Sequence, residues 1–220
     1  MNKNITIVTG LWDLGRDQLS ESFKRNFQQY KDRFFEMLNI DAQMCIWIPK
    51  ELEKEVLEVR AGRPTRIFYK DLTDFETWNP FFENIQKIRT NREWYSQVGW
   101  LEESPQAKLK YYNPMMFTKM FMVNDSAIIN PFGSEYFFWI DGGLTNTVHK
   151  GYFQKDLVLD ALDSFVLDKG GKFIHLSYPY EGGSEIHGFE RKAMASYCNV
   201  DYVKYVCRGG FFGGHKQMVH

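Results

Sequence analysis

ITIVTGLWDLGR, residues 5–16, decides how the rest of the chain is read. Ile5 to Thr9 is an apolar, β-branched run that ends in Gly10, and the residues after it carry turn chemistry and no helical period. That pattern describes a buried first strand feeding a loop. From Ser20 the spacing changes: Phe23, Phe27, Tyr30, Phe34 and Met37 or Leu38 recur every three or four residues, as on an amphipathic helix, with Ser20 and Ser22 as candidate caps. QMCIWI (43–48) forms a second strand that stops at Pro49, and KELEKEVLEVR (50–60) has helical composition with opposite charges four apart. RIFY (66–69) makes a third strand after a GRPT turn. Strand, helix, strand, helix, strand in this order predicts an α/β fold whose neighbouring strands run parallel.

Further along, residues 72–110 are rich in Trp and charge and read as short helices with ESPQAK (103–108) as the loop between them. NPMMFTKMFMVNDSA (113–127) has helical potential and is broken by NPFGS (130–134). EYFFWI (135–140) is a strongly β-forming run that delivers Asp141, Gly142 and Gly143 at its carboxyl end. Residues 152–169 read as a helix, KFIHLSY (172–178) as a strand and GFERKAMASYC (188–198) as a helix. The chain closes on a short apolar run entering a Gly-rich turn, with no closing helix, an ending that a piece of a longer protein would have.

The composition narrows the function classes. Lys and Arg number 27 against 28 Asp and Glu in 220 residues, a formal charge of −1, so no basic footprint for nucleic acid or anionic membranes is present and nucleic acid is not an expected partner. Aromatic residues reach 17%, which implies a large aromatic core or a stacking site. Cys45, Cys198 and Cys207 are an odd number without CxxC spacing, against a disulfide framework or structural zinc and in favour of a reducing compartment. The N-terminal apolar run is too short for a signal sequence, and no stretch approaches a membrane span. A cytoplasmic protein, at most peripherally associated with a membrane, is expected.

FFWIDGG (137–143) is the sharpest chemical feature. An acid at the carboxyl end of a buried strand stands where α/β sheets hold ligands, and glycines beside it let a diphosphate approach the backbone. A hard divalent cation between Asp141 and that diphosphate would neutralise leaving-group charge. A plain turn, with Asp chosen for the turn itself, reads equally well. In TGLWDLGR (9–16), Trp12 can stack on a base and Arg16 can pair with phosphate; the competing reading puts Trp12 in the core and Arg16 in a structural bridge. The loop is neither GxGxxG nor a P-loop. Arg60, Arg63 and Arg66 make either an anion pocket or a solvated basic turn. Lys119, alone among apolar residues, either reaches water or holds a fixed anion. In RGGFFGGH (208–215) the glycines give room for a sugar and the Phe residues a flat apolar face, while His215 is either a metal ligand or an idle side chain. Glu185 and Glu190 in EIHGFER (185–191) serve as a base or as a charged helix start. No GxSxG, HxH or HExxH spacing supports a hydrolase triad or catalytic zinc.

Taken in order, VTGLWDLGR (8–16), EVRAGRPT (58–65), NPMMFTKMFMV (113–123) leading through NPF to FFWIDGG, and GGFFGG (209–214) resemble the HtrL/YibB family, also called WlaTC/HtrL-like glycosyltransferases. The resemblance spans nearly the whole chain and implies a single GT-A-like, Rossmann-like α/β domain over residues 1–220, with a mostly parallel mixed sheet flanked by helices. It further implies transfer of a sugar from a nucleotide-sugar donor to a glycan acceptor, as in lipopolysaccharide or lipooligosaccharide biosynthesis. In enzymes of that kind a DxD motif carries the divalent metal, usually Mn²⁺, with the donor diphosphate; Asp141 matches one of its acids, and the second acid is missing here. On this resemblance Thr9, Leu11 and Trp12 line the nucleoside pocket, Arg16, Arg60 and Lys119 neutralise phosphates, and Gly142 and Gly143 border the diphosphate. Asp141 and His215 hold the metal, Phe212, Gly213 and Gly214 meet the acceptor, and Glu185 and Glu190 are the candidate bases. A non-catalytic carbohydrate-binding protein, or a nucleotide-sugar hydrolase or nucleotidyltransferase, is the alternative.

Overall fold

A computed structural model of the chain describes residues 4–97, 99–144, 171–179, 195–196 and 199–219. Strand β1 (Ile5–Gly10) pairs in parallel with β2 (Gln43–Ile48), and β2 with β3 (Thr65–Tyr69). On its other side β1 pairs in parallel with β4 (Tyr136–Ile140), Val8 opposite Trp139. Two antiparallel strands extend the sheet beyond β4: β5 (Phe173–Pro179) at the edge and β6 (Tyr205–His215) between β4 and β5. The order is β3-β2-β1-β4-β6-β5, a six-strand mixed sheet. Strands β1, β2 and β4 are legible as apolar runs because strands covered on both faces have no reason to alternate with polar residues, whereas β3 is an edge strand whose Arg66 and Tyr69 are exposed.

Helices cover both faces. Helix α1 (Phe27–Leu38) and helix α2 (Glu53–Val59) close one face, where Ile7, Met44 and Ile46 meet Phe34, Met37, Leu38 and Val56. The short helix α3 (Phe75–Trp78) and helix α7 (Tyr112–Ile129) close the other, packing Phe75, Met122 and Val123 on Val8, Cys45, Trp47 and Trp139. Between them come α4 (Phe82–Arg89) and the one-turn helices α5 (Arg92–Tyr95) and α6 (Pro105–Lys108). Aromatic rings pack on one another in this second layer: Trp47 stacks on Phe68 at 4.3 Å and on Trp78 at 4.9 Å, and Trp12 meets Phe75 edge-on at 5.2 Å.

Three local expectations are corrected. Helix α1 starts at Phe27, capped by Asn26, whose side chain accepts from the Gln28 N–H; Ser20 instead gives its carbonyl to a turn ending at Phe23 and Lys24. Part of the ESPQAK segment is the helical turn α6, because Ser104 accepts from the Ala107 N–H and Pro105 has a ring already set for the first helical position. The closing Gly-rich turn is part of strand β6. A Cβ on Gly213 would run into the Phe137 carbonyl and the Phe138 Cα, and one on Gly214 into the Lys172 carbonyl. These glycines let three strands lie close together.

The chain leaves β1 toward β2 on one side of the sheet and reaches β4 on the other. The carboxyl ends of β1 and β4 therefore flank a topological switch point, the place where open α/β sheets hold ligands.

Candidate functional site

At that switch point β4 ends in Ile140 and the chain turns. The Asp141 N–H donates to the Gly210 carbonyl at 2.9 Å, and the Leu144 N–H closes the turn on the Asp141 carbonyl at 3.0 Å. Gly142 is buried here: a Cβ would stand 2.7 Å from the Phe34 ring and 3.2 Å from the Gly10 carbonyl, so this glycine lets the turn lie against β1 and α1. Gly143, half-buried, follows it.

The Asp141 carboxylate is held from one side. Oδ1 accepts from Lys119 Nζ at 2.6 Å and from Trp139 Nε1 at 2.5 Å. Trp139 reaches it because residues two apart on a strand share a face. Lys119 reaches it from the middle of α7, with its ammonium 5.6 Å from the Trp139 ring centroid. The Lys119 side chain is 6% exposed and that of Asp141 34%, so the pair has a buried cation and an acid facing out. Oδ2 takes no hydrogen bond among the described residues. Gly210 lies beside it, where a Cβ would stand in ordinary contact at 3.6 Å.

Arg16 lies in the connection between β1 and α1. Its Nη1 donates to the Tyr30 hydroxyl at 2.9 Å and its Nη2 to the Phe23 carbonyl at 3.0 Å, while its guanidinium lies 5.9 Å from the Tyr112 ring centroid. Nε is buried and has no hydrogen-bond partner among the described residues. Burial pushes the Tyr112 phenol up from its ordinary value, the Arg16 charge opposes that, and Tyr30 and Asp141 add to it. Arg16 thus contacts both Tyr30 and Tyr112, and Tyr112 also feels the charge of Asp141. Tyr30 and Tyr112 are absent from the residues expected on sequence grounds; Tyr30 carries only the period of α1 there, and Tyr112 only an aromatic neighbour.

Several expected site residues are placed elsewhere by the fold. Thr9 is buried and its hydroxyl donates to the Ile140 carbonyl at 2.7 Å, clamping β1 to β4, and Leu11 lies in the core. Trp12 offers no face to a base: its ring packs in the core and its indole N–H donates to the Lys70 carbonyl at 2.7 Å. Arg60 is 2% exposed. It donates to the carbonyls of Leu38, Ile40, Ala42 and Pro64 and to the Thr65 hydroxyl, and so ties the end of α1 to the entries of β2 and β3 instead of meeting phosphate. Burial lowers its pKa to about 10.

His215 is paired with Tyr136, at the start of β4, so roughly 16 Å of strand separates it from Asp141 and it shares no metal with that acid. Its ring packs edge-on against Tyr136 at 5.3 Å. Phe212 is buried between Trp139, Phe173 and His175, and Gly213 and Gly214 serve strand packing, so none of the three lines an acceptor site. The glycine of that run beside the cleft is Gly210. Glu185 and Glu190 lie outside the described residues.

Among the described residues no three His, Cys, Asp or Glu side chains come together. One open carboxylate oxygen is no cage for a cation. It does fit a hard cation whose remaining ligands are substrate phosphate oxygens and water, as Mg²⁺ and Mn²⁺ commonly take them.

Residues 3–166 match a family described as "Bacterial protein of unknown function (HtrL_YibB)". The chain belongs to the HtrL/YibB family. The matched span includes Arg16, Tyr30, Tyr112, Lys119 and Asp141, so every side chain that builds this HtrL/YibB site falls within it, whereas β5 and β6 lie beyond. No curated protein matches the chain. Among solved structures, it is similar to 4-diphosphocytidyl-2C-methyl-D-erythritol synthase from Anaerococcus prevotii DSM 20548, at 13% identity and a TM-score of 0.42, over 97% of this chain and 70% of that one. No helix of the described residues is long and apolar enough to cross a membrane.

Proposed function

We propose that this HtrL/YibB chain is a glycosyltransferase that moves a sugar from a nucleotide-sugar donor to a glycan acceptor, as in surface-glycan or lipopolysaccharide biosynthesis. One observation carries the proposal: Asp141 stands just past the carboxyl end of β4, at the switch point, part-exposed, with Oδ1 fixed by Lys119 and Trp139 and Oδ2 taking no hydrogen bond among the described residues. The sequence resemblance suggests the chemistry, and the position of that acid at the switch point supports this reading.

In this reading Asp141 Oδ2 holds a divalent cation, proposed to be Mn²⁺, which would offset charge on the departing diphosphate. Arg16, through its unpartnered Nε, meets the same anion from the β1 side. Tyr112 packs beside Arg16. The bond from the anomeric carbon to the phosphate oxygen breaks, the bond to the acceptor oxygen forms, and the acceptor proton passes to a base. Glu185 and Glu190 are the proposed bases if the course is inverting.

Thermal denaturation with nucleoside diphosphates and nucleotide sugars, each with and without Mn²⁺, tests the proposal without a known acceptor, because a ligand of the folded state raises apparent stability. A Mn²⁺-dependent rise with one nucleotide family is expected, and Asp141→Asn should remove most of it. Asn is the better replacement than Ala because it leaves the buried Lys119 an acceptor. Product analysis then decides the reaction: sugar released to water would make the site a hydrolase, and pyrophosphate formed would make it a nucleotidyltransferase. Glycan binding with no nucleotide response would make the chain a carbohydrate-binding protein.

A further inference from the structure

The geometry points to Lys119 as the residue that keeps a free divalent cation off Asp141, so that the cation is taken up only together with a diphosphate. This inference rests on the donor site proposed above and adds an order of binding to it.

Oδ1 is committed. It accepts two hydrogen bonds, from the Lys119 ammonium at 2.6 Å and the Trp139 indole at 2.5 Å, and a metal ion cannot share the space of either donor. Only Oδ2 is left, a single ligand. Lys119 cannot swing aside to free the second oxygen, because it is held within the packed middle of α7, over the Trp139 ring, where an ammonium without its counter-ion would be a buried unpaired charge.

Charge works in the same direction. The Lys119–Asp141 pair is neutral, and no cluster of acids among the described residues adds negative charge beside it. A bare divalent cation approaching Oδ2 meets one carboxylate and, immediately behind it, an ammonium that repels it. A diphosphate reverses this balance. It brings several negative charges and several oxygen ligands, satisfying the cation and also the positive charges of Lys119 and Arg16. Helix α7 carries this one lysine at the point of the sheet where it meets Asp141; a neutral residue there would remove the repelling charge and leave the Trp139 indole as the remaining donor on Oδ1.

The experiment titrates Mn²⁺ alone into the full chain and follows the EPR signal of the free aquo ion. Lys119→Met is expected to bind one Mn²⁺ at least tenfold more tightly than the native chain, and adding Asp141→Asn to it should return the affinity to the native level. Trp139→Phe, which removes a donor but keeps the charge, should stay within threefold of native. Lys119→Gln, uncharged but still a hydrogen-bond donor, carries the same expectation as the Met variant and serves if that one fails to fold. Equal affinity in native and Lys119 variants, or a tightening that survives Asp141→Asn, overturns the inference.

A parallel thermal shift with Mn²⁺ and inorganic pyrophosphate separates it from the reading on which it rests. A shift that is lost in Asp141→Asn, alongside unchanged EPR affinities in the Lys119 variants, overturns only the part given to Lys119. No shift in the native chain, or one that persists in Asp141→Asn, overturns the donor site itself.

Discussion

Arg60 shows how far a side chain's neighbours can be from what its local sequence suggests. Among Arg63, Arg66 and a GRPT turn it reads as part of an anion pocket or a solvated turn, yet it sits in the core, on carbonyls as far as 22 residues away in the chain. Ile40 and Pro64 keep a backbone donor of their own, from the Ala42 and Met44 N–H groups, but Arg60→Met removes a buried hydrogen-bond hub and should still cost about 3 kcal/mol, measured by urea unfolding. A phosphate-binding role would instead leave stability almost unchanged. Trp12 is a similar case, its indole closing on a carbonyl 58 residues away. Asp141 and Lys119 were legible for the opposite reason. An acid at the end of an apolar strand and a lysine inside the apolar run 114–123 are anomalies visible within a dozen residues, and physical chemistry allows each few ways to be satisfied.

Among the elements, the parallel strands and the longer helices follow from periodicity, because burial on two faces and burial on one stripe leave different patterns. Helix boundaries depend on single polar atoms. Asn26 supplies the cap of α1 and Ser104 that of α6. Asn26→Ala should lower stability by about 1 kcal/mol, seen as a shift of the urea midpoint at constant slope, whereas Ser22→Ala should leave it in place. Strand β6 escaped the sequence reading because a run of RGGFFGG has weak strand preference of its own; its partners on both sides impose the conformation, and the glycines permit it. The acceptor-loop reading of that run failed for the same reason.

Over the whole molecule, the two buried layers make the fold sensitive to alkali. Cys45 lies on β2 within the aromatic layer, where burial pushes its thiol up from 9.0 to about 12, with Ser126 and Arg66 pulling weakly the other way. The folded chain therefore keeps a proton that the unfolded chain gives up above pH 9, so the stability this residue contributes is intact below pH 9 and is lost as pH rises toward 12. The slope is about 1.4 kcal/mol per pH unit inside that window. Urea midpoints at pH 8.5 and 10.5 should fall more steeply for the native chain than for Cys45→Ala. Tyr112, also raised by burial, adds to the loss at the upper end.

The place of β6 in the sheet has a consequence for biosynthesis. A ribosome delivers β1 to β4 first, and with them Lys119, Trp139 and Asp141; the strand that pairs with β4, and the Gly210 carbonyl that receives the Asp141 N–H, is translated about 70 codons later. Until then β4 is an uncovered sheet edge, open to pairing with another nascent chain. The arrival of β6 is what covers that edge and completes the backbone contact at Asp141. Nascent chains stalled before residue 205 would carry the acid and its lysine without the wall that encloses them, and a chaperone that shields strand edges would find its target in β4.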